Sequence, residues 1–136
     1  YILGRHRERA VALFNGERCD LIVTHSCPAG IGIGLRAAVE HEHAVGVHVR
    51  GAGFDPGPAE DCGEVELRRL WGELSHRPRA WVFGHFHRAH TATIEGTRFV
   101  GLDDDLTSPS RRLAIWDTEE KKVLMCPADP SGGAVR

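Results

Sequence analysis

Two short stretches, Asp20-Leu21-Ile22-Val23-Thr24-His25 and Ala80-Trp81-Val82-Phe83-Gly84-His85-Phe86-His87, decide how this sequence is read. Leu21–Thr24 and Ala80–Phe83 are unbroken β-prone runs too short for helices, as expected of strands covered on both faces. Each run ends in a histidine-bearing turn. In α/β sheets the carboxyl ends of strands are where sites are built, so parallel strands would bring both histidine turns to one sheet edge. A metal site needs imidazoles on rigid backbone, because ligand distances tolerate only a few tenths of an ångström. A histidine placed directly after a buried strand meets that need. If His85-Phe86-His87 is extended, alternation sends both imidazoles to one side and Phe86 to the other. Gly84 is expected to supply a backbone conformation that a Cβ would forbid.

Outward from these runs, Arg5 to Gly16 suits a helix, with Ala10, Val11, Leu13 and Phe14 as its apolar stripe and Asn15-Gly16 as its stop. Asp61-Cys62-Gly63-Glu64 has the form of a capping box. It would open a second helix whose Leu67, Leu70, Trp71 and Leu74 share one face, with Pro78 beyond its end. Between the first strand and this helix lies a glycine-rich region with a short helix expected over 35–43. From Thr91 onward the pattern turns to hairpins: Thr91–Ile94 and Thr97–Leu102 flank Glu95-Gly96, and Leu113–Trp116 and Val123–Met125 flank a charged turn. The order helix, strand, helix, strand, hairpins predicts an α/β layered domain over 1–126 with a mixed sheet, followed by a flexible tail over 127–136.

Composition narrows the function. The chain has 136 residues, 41% of them apolar, with 17 basic and 19 acidic side chains well mixed and a net charge of −2. Nothing there predicts a polyanion-binding surface, so nucleic acid enters only as a substrate of a site. No apolar run approaches the roughly 20 residues that cross a bilayer, and the chain reads as cytoplasmic. Cys19, Cys27, Cys62 and Cys126 form no C-x-x-C pair and are expected as reduced thiols. Nine histidines stand against one tyrosine, which puts metal ligation first among the chemistries to consider.

Thr24-His25-Ser26-Cys27-Pro28 resembles the T-H-x-P-P segment of calcineurin-like metallophosphoesterases, and Gly84-His85-Phe86-His87 matches their G-H-x-H segment. The resemblance covers roughly Cys19 to Met125, and Cys27 departs from it where proline is usual. It implies the C-terminal half of a layered metallophosphoesterase fold. It further implies two divalent metal ions (manganese, iron or zinc), with His25 and His85 on one and His87 on the other, and hydrolysis of a phosphomonoester or phosphodiester. The family's D-x-H, G-D-x-x-D and G-N-H-D/E motifs are absent from this sequence. The bridging carboxylate and general acid are therefore expected outside this chain, on an N-terminal half, upstream of Tyr1 or on another chain, or through a homo-oligomer.

Other signals compete. His90 is near enough to His87 to line a substrate pocket, and His41 and His43 could contact substrate, although a solvated helix end is the plainer reading of His41-Glu42-His43. Gly32-Ile33-Gly34-Leu35-Arg36-Ala37 matches G-x-G-x-x-A, but His25 to Ile31 separate it from the strand, unlike a dinucleotide turn. Asp103-Asp104-Asp105 reads as a solvated turn, Arg111-Arg112 as edge protection, and Trp71, Trp81 and Trp116 as core. The rival functions are a non-catalytic, fold-completing fragment and a nucleotide-cofactor domain.

Overall fold

The computed structural model of the chain describes residues 4–33, 46, 50, 51, 53, 63–103 and 113–125. Its elements are α1 (Gly4–Glu17), β1 (Leu21–Thr24), α2 (Val65–Glu73), β2 (Ala80–Phe83), β3 (His90–Ile94), β4 (Thr97–Gly101), β5 (Ala114–Asp117) and β6 (Lys122–Met125). The chain is of mixed α/β class. It folds as two compact units, one of residues 1–18 and 26–76, the other of 19–25 and 77–136. The short helix expected over 35–43 lies outside the described residues.

In the first unit α1 packs on α2. Arg7 reaches across to Glu66 at 3.0 Å and to Glu73 at 3.3 Å. Leu67, Leu70, Trp71 and Leu74 are buried, as their spacing predicts. The helix ends differ from expectation. Asn15 does not stop α1, because its side chain works elsewhere: its Oδ1 accepts the Ser75 N–H at 2.7 Å. The helix runs on to Glu17, and Arg18 closes it in the left-handed region with φ 48°. At the start of α2 the cap is Glu64, in extended backbone and without a side-chain capping bond, and not Asp61, which lies outside the described residues. The reason is a long-range one. Glu64 donates its N–H to Cys27 at 2.7 Å and accepts from Ala29 at 3.1 Å, which fixes the chain one residue before the helix.

The second unit holds a four-stranded sheet in the order β1-β2-β4-β3 and a two-stranded β5-β6 sheet. β1 runs parallel to β2 with Leu21 opposite Ala80 and Thr24 opposite Phe83, and β2 runs parallel to β4. β3 and β4 form the antiparallel hairpin that Glu95-Gly96 predicts. Alternation then sorts the side chains. Leu21, Val82, Ala80 and Val100 share one face and pack with Ala114, Trp116, Val123 and Met125 of the β5-β6 sheet. Ile22, Trp81, Phe83 and Phe99 lie on the other face and are buried. Because β1, β2 and β4 are parallel and in register, Thr24, Phe83 and Gly101 end on the same sheet edge.

Candidate metal centre

The site is built from the residues just beyond those strand ends. The main chain of His25 is tied to the second turn, its C=O accepting the Gly84 N–H at 3.1 Å. Two residues on from Gly84, the Phe86 N–H returns to the Gly84 C=O at 2.8 Å. This closes a three-residue turn centred on His85, whose φ is 68°. That is the positive-φ form of the γ-turn, which is rare and strained. His87 is also left-handed, at φ 50°.

The expected extended alternation is therefore absent: the chain bends through His85-Phe86-His87. Phe86 is buried, and its ring meets Phe83 edge-on with centroids 6.1 Å apart, while His85 and His87 remain exposed. The expectation for Gly84 also fails. A Cβ there would meet nothing within 4 Å, so the unusual backbone belongs to the histidines, not to the glycine.

The consequence for His85 is direct. Its Nδ1 stands 2.9 Å from Nε2 of His25, with the rings 4.7 Å apart and inclined at 69°. One imidazole donates and the other accepts. Two imidazole nitrogens held at about 2.0–2.1 Å from one ion and at right angles lie about 2.9 Å apart. At the tetrahedral angle they would lie about 3.3 Å apart, so the observed spacing matches a right-angled ligand pair and equally an ordinary N–H···N hydrogen bond. Among the described residues, no group of three or more His, Cys, Asp or Glu side chains that could hold a metal is present. His87 is accordingly not gathered with the pair into a single three-ligand set. It follows His85 by two residues, on the exposed side of the turn.

No protein-family model and no curated protein matches this chain.

The remaining sequence candidates divide. His90 opens β3 opposite Gly101, half-buried, its ring 6.5 Å from that of Phe83, and so stands at the same sheet edge as the pair. Asp103 follows β4 at that edge. His41, His43, Asp104, Asp105, Arg111 and Arg112 lie outside the described residues, as do Gly34 and Ala37 of the glycine motif. Trp71 and Trp81 are buried, and Trp116 packs against the cluster of Ala80, Val100 and Val123. No helix among the described residues is long and apolar enough to cross a membrane.

A pair that motif reading passes over is Thr24 and Trp81, joined by an indole N–H to hydroxyl bond of 2.8 Å. A signal for it exists in the sequence. A buried tryptophan N–H needs an acceptor, and Thr24 carries the only side-chain oxygen in the two strand runs.

Proposed function

We propose that this chain supplies the histidine side of a dinuclear phosphoesterase centre acting on a phosphomonoester or phosphodiester. His25 and His85 hold one divalent ion and His87 its neighbour, while a bridging carboxylate and a general acid come from outside the chain. The observation that carries this reading is the 2.9 Å approach of His25 Nε2 to His85 Nδ1 at the ends of adjacent parallel strands. Without an ion one ring donates to the other, and the same two nitrogens would be free to turn to a shared ion once that proton is lost. The T-H and G-H-x-H segments support the same assignment. When bound, the ions would supply hydroxide at neutral pH and neutralise phosphate oxygens.

The chain's own part is to bind and orient. The parallel register aligns the two turns, and the exposed rings leave the ligand nitrogens within reach of a substrate. His90, with His41 and His43, belongs on the substrate side in this reading. Manganese, iron and zinc all accept imidazole together with carboxylate, so the ligand type leaves the metal open.

Titration with manganese, followed by thermal unfolding, tests the proposal. Saturation at about 100 times Kd should stabilise the fold by about 2.7 kcal/mol. His25→Ala or His85→Ala should abolish that stabilisation. An undiminished shift in the doubly substituted protein, or stabilisation by a nicotinamide dinucleotide and not by manganese, would defeat it.

A specific observation favours a second reading, a fold-completing element that catalyses nothing alone. Val23 is 68% and Ile115 54% exposed, and both line an apolar cleft of about 240 Å3 between the two sheets of the second unit. Exposed apolar surface of this kind marks contact sites. Concentration-dependent self-association of a protein that binds no manganese would favour this reading over the first.

A further inference from the structure

The strand before His25 carries a fixed clamp whose donor, Trp81, lies in neither motif. Trp81 is fully buried on β2, and its ring stacks on Phe99 of β4 with centroids 5.9 Å apart. Its indole N–H donates to Oγ1 of Thr24 at 2.8 Å, across the diagonal from β2 to β1. Diagonal neighbours of a sheet are within reach of an aromatic side chain, so the register itself makes this bond available. Thr24 is the last residue of β1. A β-branched side chain is already stiff about χ1, and accepting a part-buried bond restricts it further. The residue after it is His25, whose C=O is tied to the Gly84 N–H. The main chain of His25 is thus held on both sides, from Trp81 through Thr24 and from Gly84 directly. Only its own side-chain torsions remain to aim Nε2 at His85.

We infer that Thr24 is a positioning residue: by accepting the Trp81 indole N–H it sets the direction in which β1 delivers the His25 imidazole to His85. The inference rests on the proposed metal centre for the ligand the pair would take, and on the geometry alone for the clamp. Groups bonded to the other ring nitrogen of a metal-binding histidine typically change affinity by about 10–100-fold when removed, and a clamp on the preceding residue should fall at the lower end of that range. Thr24→Val keeps the shape and removes the oxygen. Thr24→Ser keeps the oxygen. Trp81→Phe removes the donor and leaves Thr24 in place.

Two readouts on the whole chain test this. Ring 15N shifts of His25 and His85, measured without metal, report the tautomer and the hydrogen bond between them. Calorimetric titration with manganese reports affinity. Thr24→Val and Trp81→Phe should each change the ring shifts and weaken manganese binding by about tenfold or more. Thr24→Ser should stay within about threefold of the parent, and the double variant should lose little beyond either single one, as for one shared bond. If Thr24→Val does not fold, the contrast between Thr24→Ser and Trp81→Phe decides. Variants that melt earlier yet keep the parent's ring shifts overturn the inference. A parent that binds no manganese overturns the metal centre, and the metal-free ring shifts then still judge the clamp.

Discussion

At the scale of single residues, His85 and His87 stand out as side chains in backbone conformations that suit glycine better. At φ 68° and 50° they occupy the left-handed region, where a Cβ crowds the following carbonyl. Histidine tolerates this more readily than a β-branched residue would. In regular structure alanine is the more stable choice over glycine; here the order should invert. His85→Gly should be more stable than His85→Ala by about 1 kcal/mol, and the same should hold at His87. Urea unfolding midpoints of the two pairs would measure it, and an alanine variant equal to or better than its glycine counterpart would refute the strain. His85→Gly should also lose the ring contact with His25. The sequence places these histidines after their strand but predicts extended backbone for them. A γ-turn has no composition signal when its centre is histidine, and the adjacent Gly84 attracts the expectation of unusual backbone to the wrong residue.

At the scale of elements, legibility depends on whether the cause is local. Both strands and both hairpins fall where apolar runs and alternation put them. Only β2 is covered on both faces, however: β1 is an edge strand of the described sheet with Val23 exposed, because an unbroken apolar run does not say whether a neighbour covers each face. The parallel pairing of β1 with β2, on which the shared sheet edge depends, is only a condition at the level of sequence, since register lies in no single segment. The start of α2 is misplaced from sequence for the same reason: its position is set by backbone bonds from Glu64 to Cys27 and Ala29, which lie more than thirty residues away. This contact yields a sharp contrast between glycines. A Cβ on Gly63 would stand 2.4 Å from the Pro28 carbonyl oxygen and 2.6 Å from the Ala29 nitrogen, both backbone atoms that cannot swing aside. Gly63→Ala should therefore cost upwards of about 2 kcal/mol, whereas Gly84→Ala, which meets open space, should change stability by less than about 1 kcal/mol. Thermal melts of the two variants decide it, and similar losses at both positions would contradict the close approach of the α2 start to Pro28.

At the scale of the second unit, the two sheets are tied by charge as well as by their apolar faces. Asp20, just before β1, receives Lys121 from the β5-β6 turn at 2.7 Å and Arg79, just before β2, at 3.4 Å. The Lys121 hydrogen bond, with the nearby positive charges of Lys121 and Arg79, holds the Asp20 carboxyl below its ordinary value of 3.8. A carboxylate more acidic in the folded chain than in the unfolded one stabilises the fold above the ordinary value. That contribution is lost as pH falls through the lowered one. Because a third of the Asp20 side chain is open to solvent, the effect should be modest and sensitive to salt. Asp20→Asn keeps the main-chain bond from the Ala80 N–H to the Asp20 C=O and removes only the charge. Its melting temperature should lie below the parent's at neutral pH and low salt, and the gap should narrow in high salt. It should close as pH is taken below 3.8 and on through the lowered value, where the parent's own carboxyl becomes protonated. A gap that stays constant from neutral to acid pH would mean that Asp20 acts through shape alone, and that the sheets are joined at this corner without help from its charge.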